Sequence, residues 1–301
     1  MKGIDEQYLD LLRDVMENGV EKGDRTGTGT VASFGKTITY DAHPSRFPIL
    51  TTKKMFFRGV VEELLWFLRG ESNIQPLVQA GVYIWVDDAY GRYRRAVVDP
   101  VSKEEFVRLV RDDDYFAAVH GDLGPVYGKK WRDFGGVDQI AQLVETLRSN
   151  PDSRRMVITA WDPPDVPTMT LPPCHYTWQV QAVPIEDGKR KLNLCFSIRS
   201  CDLLLGGPFD CISYATLLNL LAIEVGMEVG TVTMFVGDAH IYLNHLDYVK
   251  EQIGRDPNLY QYPQLLITPG KSILDGSYTS ADIQLEGYQS YPNWKNVPLS
   301  T

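Results

Sequence analysis

The stretch KLNLCFSIR, residues 191–199, alternates apolar and polar side chains, which is the pattern of a half-buried β-strand. Its apolar members, which would face the core, are Leu192, Leu194, Phe196 and Ile198. Residues 213–227 are apolar almost all round and predict a buried helix, and TVTMFVG at 231–237 predicts a further strand. Helices and strands mix along the chain without a regular alternation, so we expect the α+β class.

The same patterns predict further elements on the N-terminal side of this stretch. They are helices over 5–18, 58–68 and 138–149 and strands over 156–161 and 176–183. Residues from about 86 to 119 are rich in charge, and we expect an exposed, partly helical insertion there. No break in composition divides the chain, so we expect one domain over residues 1–301 that carries this insertion.

Composition narrows the class of protein. The 301 residues hold 30 Lys and Arg against 39 Asp and Glu, a net charge of −9, which argues against direct DNA binding or an anionic membrane as a partner. No apolar run is long enough for a membrane span, and the N-terminus lacks the apolar core of a secretory signal. Four cysteines without CxxC spacing and five histidines without ligand spacing predict free thiols, no metal site and a cytoplasmic location.

One cysteine stands out as a candidate nucleophile. Cys174 lies in LPPCHY, where two prolines stiffen the approach and would present the thiol rigidly. A small buried side chain is the alternative interpretation for any lone cysteine. We include the adjacent His175 among the catalytic candidates, although neighbours in an extended segment point to opposite faces, so an arginine is the better partner for the thiolate.

Several other polar residues suit an anionic substrate and proton transfer. Four arginines could hold a phosphate, although surface ion pairs are the plainer explanation for each: Arg25, Arg154, Arg155 and Arg199. Ser200 adds a hydroxyl donor beside the last of them. Glu63 lies in the apolar helix predicted over 58–68, where burial would raise its pKa, and Asp210 stands where it could simply cap the next helix.

Spaced motifs extend over nearly the whole chain. In order they are ELLWFLRGESNI (63–74), GDLGPVYGKKWR (121–132), PDSRR (151–155), LPPCH (171–175), RSCD (199–202), SYATLLNLLA (213–222) and GDAHIYLNH (237–245). Together they resemble the thymidylate synthase family. The resemblance implies a mixed β-sheet packed with helices, an obligate homodimer that uses the sheet face and shares its active sites, a pyrimidine deoxynucleoside monophosphate as substrate, and 5,10-methylenetetrahydrofolate as cofactor.

The resemblance also implies a role for each matching residue. Cys174 would add to C6 of the pyrimidine, Glu63 would manage protons around the base, and Tyr127 would assist proton removal from C5. The phosphate would be held by Arg25, Arg199 and Ser200, with Arg154 and Arg155 from the other subunit. The 3′-hydroxyl would be held by His240 and Tyr242. The folate would be held by Trp85, Leu171, Asp202 and Gly206.

One departure from the family bears on the base. Thymidylate synthases have Asn at the position of Asp210, and that Asn donates to O4 of uracil and accepts from N3–H. An ionised Asp only accepts, and carboxylates accept from the cytosine amino group. We therefore expect dCMP rather than dUMP as the substrate, as in the deoxycytidylate hydroxymethylases that carry the same replacement.

Other departures bear on the product. Hydride from tetrahydrofolate would give a methyl group, whereas water would give a hydroxymethyl group. The family's IWDEW is IWVDD here, which places Asp88 where a second Trp would stand, and the polar ending Pro298–Thr301 replaces an apolar one. Both changes favour water, so the expected product is 5-hydroxymethyl-dCMP.

Several alternatives stay open at this point. The first is 5-methyl-dCMP, since Leu171 and His175 are synthase-like. The others are a dUMP thymidylate synthase or hydroxymethylase, a CMP hydroxymethylase, and a non-catalytic nucleotide- or RNA-binding protein. A hydroxymethylase would suit a virus that marks its DNA, acting in the host cytoplasm.

Overall fold

A long mixed sheet and one apolar helix organise the computed structural model, which describes residues 2–299. The helices are α1 (Ile4–Asn18), α2 (Phe57–Leu68), α3 (Gln75–Gln79), α4 (Val86–Ala96), α5 (Lys103–Asp112), α6 (Asp114–His120), α7 (Tyr127–Arg132), α8 (Gln139–Ser149), α9 (Gly206–Val225) and α10 (Leu246–Ile253). The strands are β1 (Val20–Lys22), β2 (Thr30–Asp41), β3 (Val157–Thr159), β4 (His175–Pro184), β5 (Arg190–Asp202), β6 (Glu228–Tyr242), β7 (Gln264–Ile267) and β8 (Ile283–Glu286).

The main sheet has the order β1-β2-β6-β5-β4-β3, and β7 pairs with β8 separately. Strands β5 and β6 are parallel and are joined by α9, whereas the other pairs in the sheet are antiparallel. Their register sets Ser200 opposite Asp238 and Asp202 opposite His240. Because parallel strands end at the same edge, polar residues distant in sequence meet at one end of the sheet. The expected mixed sheet packed with helices is confirmed.

The alternation that predicted β5 holds in the structure. Leu192, Leu194, Phe196 and Ile198 are each at most 2 % exposed, and the residues between them are half-buried on the other face. These side chains are buried because β4 and β6 pair with β5 on either side and α9 covers its apolar face. Burying four large apolar side chains contributes on the order of 2 kcal/mol each.

Helix α9 begins at Gly206, seven residues earlier than the predicted start at 213. Pro208 is tolerated there because the first turn of a helix has no partner for its N–H groups. Asp210 consequently lies inside the helix, so the possibility that it caps the helix is wrong; the residue before the helix is Leu205. By length and composition α9 could cross a membrane, but two-thirds of its most apolar window is buried in the protein, as in the core helix of a soluble protein.

The charged segment at 86–119 is more ordered than expected. It forms α4, α5 and most of α6, and Tyr93, Phe106 and Phe116 pack their rings together, with centroids 5.1 to 5.8 Å apart. Phe106 is fully buried. The expectation of a partly helical, exposed surface was incomplete because apolar residues at helical spacing lie between the charges and give the segment its own packed interior.

Within residues 2–299 of a single chain, part of one face of the main sheet is left uncovered. Phe34 on β2 is 86 % exposed and Phe235 on β6 is 44 % exposed. A cavity of about 480 Å³ along this face is lined by these rings, Trp161 and Tyr176. Large aromatic side chains in a contiguous exposed patch are typical of a protein–protein contact.

Candidate active site

Arg199, on β5, holds the segment that carries Cys174 and leads into β4. Pro172 and Pro173 precede Cys174, and their carbonyl oxygens accept from Arg199 Nη2 at 2.7 Å and Arg199 Nε at 2.9 Å. The backbone N–H of Arg199 donates to the carbonyl of Cys174 at 2.8 Å. Proline fixes the backbone, and the guanidinium fork matches two acceptors at once. The thiol is therefore presented on a rigid segment.

Opposing influences act on the thiol. Burial raises the pKa of Cys174, and the nearby carboxyl groups of Asp210 and Asp88 raise it further, whereas the Arg199 guanidinium lowers it. Arg199 Nη2 lies 3.7 Å from Sγ. Burial is the largest influence, so the free protein holds a protonated thiol beside a cation that would stabilise its thiolate.

Tyr127, at the start of α7, positions the same segment. Its hydroxyl accepts the backbone N–H of Cys174 at 2.7 Å, and its ring stacks on His175 with centroids 4.1 Å apart. Burial raises the pKa of Tyr127 well above its ordinary value, so the phenol stays protonated. Because the oxygen accepts from Cys174, its own proton remains available to the space beside the thiol.

His175 joins the site, although its neighbour relation to Cys174 predicted the opposite face. Its ring packs on Tyr127, and its Nδ1 forms a 2.9 Å hydrogen bond with the hydroxyl of Tyr214. Strand β4 has a register shift just after His175, which departs from regular alternation. Burial lowers the pKa of His175 to about 3, so the imidazole is neutral. We therefore expect His175 to be a positioning residue rather than a catalytic one.

Two buried carboxyl groups complete the recess. Burial raises the pKa of Glu63 to about 7, opposed by Trp85, whose indole N–H donates to Glu63 Oε1 at 2.7 Å. Burial, and then the charge of Glu63, raise the pKa of Asp210 well above its ordinary value. The nearest basic group to Asp210 is His175 Nε2 at 3.8 Å, and it is neutral. Both influences favour the protonated form of Asp210.

The residues expected to bind phosphate and ribose fall at the shared edge of β5 and β6. Arg199 and Ser200 lie on β5, and His240 and Tyr242 lie on β6 with rings 5.2 Å apart. Asp238 holds His240 Nδ1 at 3.0 Å. Arg25 lies in the exposed turn between β1 and β2.

Arg154 and Arg155 are not brought to Cys174 within one chain. Both are exposed, in the turn after α8. Arg154 lines a cavity of about 620 Å³ over the uncovered sheet face, together with Gln179 and Thr233. Any action on a bound phosphate would require a second chain on that face.

The residues expected to hold folate are compatible with a flat, hydrogen-bonding ring system. Trp85 and Leu171 offer apolar surface, and an added Cβ at Gly206 would meet nothing within 4 Å, so the space there is open. Asp202 Oδ1 accepts from the backbone of Leu204 at 2.9 Å, while Oδ2 accepts from no group within residues 2–299. An unshared carboxylate oxygen beside open space suits the N–H groups of a pterin.

Sequence reasoning missed Lys53 and underrated Asp88. Lys53 is 2 % exposed, its ammonium group donates to the carbonyl of Leu204, and burial lowers its pKa to about 8. Asp88 was noted only as a missing Trp, yet its charge raises the pKa of Cys174, and Arg25 in turn lowers the pKa of Asp88. No spacing in the sequence reveals either role, because both depend on residues that approach from elsewhere in the fold. Pro298 and Leu299 lie within the described residues, whereas Ser300 and Thr301 of the predicted polar ending lie outside them.

Comparison with known proteins agrees with this geometry. The sequence model described as thymidylate synthase matches residues 6–299. A thymidylate synthase of Rhodopseudomonas palustris (strain BisA53) is 44 % identical over 296 residues, covering 97 % of each chain. Those of Cereibacter sphaeroides and Mesoplasma florum are 43 % and 42 % identical, over 96 % and 95 % of this chain and 96 % of each relative.

These relatives correct the expected function. The prediction of dCMP hydroxymethylation is wrong, because relatives at 41–44 % identity over nearly the whole chain are named thymidylate synthase; 5-methyl-dCMP as the product is not favoured either. The argument treated Asp210 as ionised, whereas burial and the charge of Glu63 raise its pKa well above the ordinary value and favour the protonated form. The protein is an enzyme that transfers one carbon, and its donor is 5,10-methylenetetrahydrofolate. The chain belongs to the thymidylate synthase family.

Proposed function

We propose that this protein methylates C5 of dUMP, with 5,10-methylenetetrahydrofolate as donor, and releases thymidylate and dihydrofolate. The observation that carries the proposal is the Cys174 thiol, held on a rigid segment beside the Arg199 guanidinium and the Tyr127 hydroxyl. The names of the relatives point to the same reaction.

A neutral Asp210 can recognise uracil. A protonated carboxyl has one O–H donor and one carbonyl acceptor, which is the same pair that an Asn side chain offers. Uracil presents an acceptor at O4 and a donor at N3–H, so the two edges match. Burial and the charge of Glu63 both favour this protonated form, and the basic group that lies within 4 Å of Asp210 in residues 2–299 is His175, whose pKa burial lowers to about 3.

Substrate binding would set up the nucleophile. The guanidinium of Arg199 is shared between Pro172, Pro173 and the thiol, and it belongs to the proposed phosphate site. Cys174 would give up its proton to water in the recess, and its thiolate would form a bond from Sγ to C6 as the C5–C6 π electrons move onto C5 and O4. The rigid segment supplies orientation, which is a large part of the advantage of a bound nucleophile.

Glu63 and Tyr127 would handle protons. With a pKa of about 7, Glu63 can give and take a proton near neutral pH, which is the range where a general acid–base group is most effective. Its hydrogen bond to Trp85 fixes one oxygen and leaves the other for substrate or water. Tyr127 keeps its own proton and can relay the one that leaves C5.

The folate would be held by Trp85, Leu171, Asp202 and Gly206. When bound, it supplies the one-carbon unit and the hydride that completes the methyl group. The chain's own contribution is to shield this step from water: Trp85 is 8 % exposed and packs against Trp66 and Tyr127. An apolar wall beside the base favours hydride over water.

We further propose a cytoplasmic homodimer of single-domain chains with shared active sites. The exposed aromatic face around Phe34 and Phe235 would be the interface, and Arg154, which lines the cavity over that face, would lie against the partner. Arg155 follows it directly and lines a neighbouring cavity beside α8 and β3. Within residues 2–299 neither side chain forms an ion pair or hydrogen bond, which suits a phosphate bound by the other subunit.

A product assay tests the proposal. The enzyme is supplied with methylenetetrahydrofolate and an equal mixture of dUMP and dCMP, the nucleotides are identified by mass spectrometry, and dihydrofolate is followed by absorbance. We expect thymidylate and dihydrofolate in equal amounts, with dCMP untouched. Product from dCMP, or a hydroxymethyl nucleotide without dihydrofolate, would overturn the proposal. A Cys174→Ala variant is the blank.

A further inference from the structure

A basic cleft adjoins the active site on the side of the insertion at 86–119. Its volume is about 750 Å³. It is lined by cationic residues Arg25, Arg94, Arg95 and Lys103, by Asp87 and Asp88, and by the chain at 170–172. The cleft is therefore positively charged although the whole protein carries −9. A concave surface of one sign concentrates the field and attracts the opposite charge.

The arginines of the cleft are available to a ligand. Within residues 2–299, Arg25, Arg94 and Arg95 form no ion pair and no hydrogen bond through their side chains, although Arg94 lies 5.9 Å over the ring of Tyr90. Lys103, by contrast, pairs with Asp87.

Other arginines of the same insertion behave differently. Arg108 pairs with Glu105 in a fork at 2.8 and 2.5 Å, and Arg111 pairs with Asp112 at 2.9 Å. An ordinary charged surface would neutralise itself in this way. Among the described residues of the insertion, the arginines whose side chains form no ion pair or hydrogen bond are Arg94 and Arg95, and both line the cleft.

The cleft is continuous with the proposed phosphate site. Arg25 lines it and belongs to the phosphate-binding set. Pro172 lines it too, and the carbonyl of Pro172 accepts from Arg199. A chain of phosphates that begins at Arg199 and Arg25 would therefore run toward Arg95, whose Nη1 lies over Gly91 on the cleft wall. Gly91 leaves room there because it has no side chain.

We propose that this cleft binds the β- and γ-phosphates of a pyrimidine deoxynucleoside 5′-triphosphate, which thereby competes with the monophosphate substrate. The proposal rests on the proposed function for the position of the first phosphate. Phosphate chains carry closely spaced charge, and arginine forks bind their oxygens two at a time. The product of the reaction would reach such a triphosphate by two further phosphoryl transfers, so the end product of that sequence could slow the enzyme.

The test measures binding rather than catalysis. Cys174→Ser protein is titrated calorimetrically with dUMP and dUTP, and separately with dCMP and dCTP, with a chelator present to remove divalent metal. We expect each triphosphate to bind about tenfold more tightly than its monophosphate or better, as one or two added charge-assisted contacts would give. The ratio of triphosphate affinity to monophosphate affinity reports on the cleft whichever base the enzyme prefers, because the base is the same in each pair.

Variants locate the effect. Arg94→Gln combined with Arg95→Gln should abolish the gain and leave monophosphate binding unchanged. Arg108→Gln, on the same insertion but outside the cleft, is the matched control and should change neither. Equal binding of mono- and triphosphate, or a gain that survives the double variant, would refute the cleft. If dUMP yields no thymidylate but the ratio holds, the proposed function fails while the cleft stands.

Discussion

Replacing Asp210 by Asn tests whether Asp210 acts as a neutral carboxyl group or as an ionised one. If Asp210 recognises uracil as a neutral acid, Asn offers the same donor and acceptor, and Asp210→Asn should keep dUMP as the preferred substrate. Asn does not titrate, whereas Asp210 must stay protonated. The sign follows from the raised pKa: the active form is present below the pKa of Asp210 and is lost as the pH rises through it.

The magnitude comes from the two hydrogen bonds and from the titration. A well-placed pair of hydrogen bonds to a base edge discriminates by about 1–3 kcal/mol. That corresponds to roughly 5- to 150-fold in kcat/KM between dUMP and dCMP for both proteins. Above the pKa of Asp210 the wild-type kcat/KM should fall about tenfold per pH unit, because the neutral fraction does. Asp210→Asn should lack this decline.

The assay is kcat/KM against pH for each base, followed through dihydrofolate. In both proteins, the rise of kcat/KM with pH on the acid side of the profile should follow the titration of Glu63, whose pKa is about 7. This rise, the acid limb, serves as an internal reference. Asp210→Asn should leave that limb in place, since a neutral Asp210 exerts no charge on Glu63. Two results would refute the reasoning. The first is a wild type that prefers dCMP together with a variant that prefers dUMP. The second is an acid limb that moves to lower pH in the variant, since that would show that a carboxylate charge near Glu63 had been removed.

Three further predictions concern Trp85, Asp5 and Arg154. Trp85→Phe removes the hydrogen bond to Glu63, so the pKa of Glu63 and the acid limb of kcat should rise above about 7. Asp5→Asn should lower the free energy of unfolding by about 3 kcal/mol in denaturant titrations, because the buried carboxyl accepts several backbone and hydroxyl hydrogens that an amide cannot all satisfy. Arg154→Ala and Cys174→Ala should each be inactive yet regain activity when their subunits are mixed.

Each of these three predictions has a matched control variant. Tyr90→Phe changes an aromatic residue outside the recess and should leave the acid limb in place. Asp10→Asn lies on the same helix as Asp5 but on the surface, and should change stability by less than about 0.5 kcal/mol. Arg148→Ala is an exposed arginine paired with Glu224, and mixing it with the inactive cysteine variant should restore nothing beyond its own activity.

The sequence predicted elements where one pattern dominates. Strand β5 alternates strictly, and α2 is apolar on its buried side, so both appear close to their expected bounds. The start of α9 was missed because Gly206 and Pro208 usually signal a turn, whereas in the first helical turn they are tolerated. The insertion was read from its charges, and its buried aromatic residues became informative only when three short helices packed together.

For the site, residue types were predictable and their protonation states were not. A thiol, an arginine and a buried carboxyl follow from local sequence and from the family motifs. The raised pKa of Asp210 depends on burial and on Glu63, which lies on a helix distant in sequence. Protonation would change a carboxylate that favours cytosine into an acid that can match uracil. Long-range burial therefore bears on a chemical point that local sequence left open.

The parallel pairing of β5 with β6 also has a consequence for folding. These strands are joined only through the twenty residues of α9, so their ladder is a non-local pairing that forms slowly. Arg199 and His240 stand on different strands of that ladder. A chain that has collapsed without it can hold native helices and still lack a phosphate site. Regain of activity during refolding should therefore lag behind regain of helical circular dichroism. The rate at which turnover returns would then report the pairing of β5 with β6.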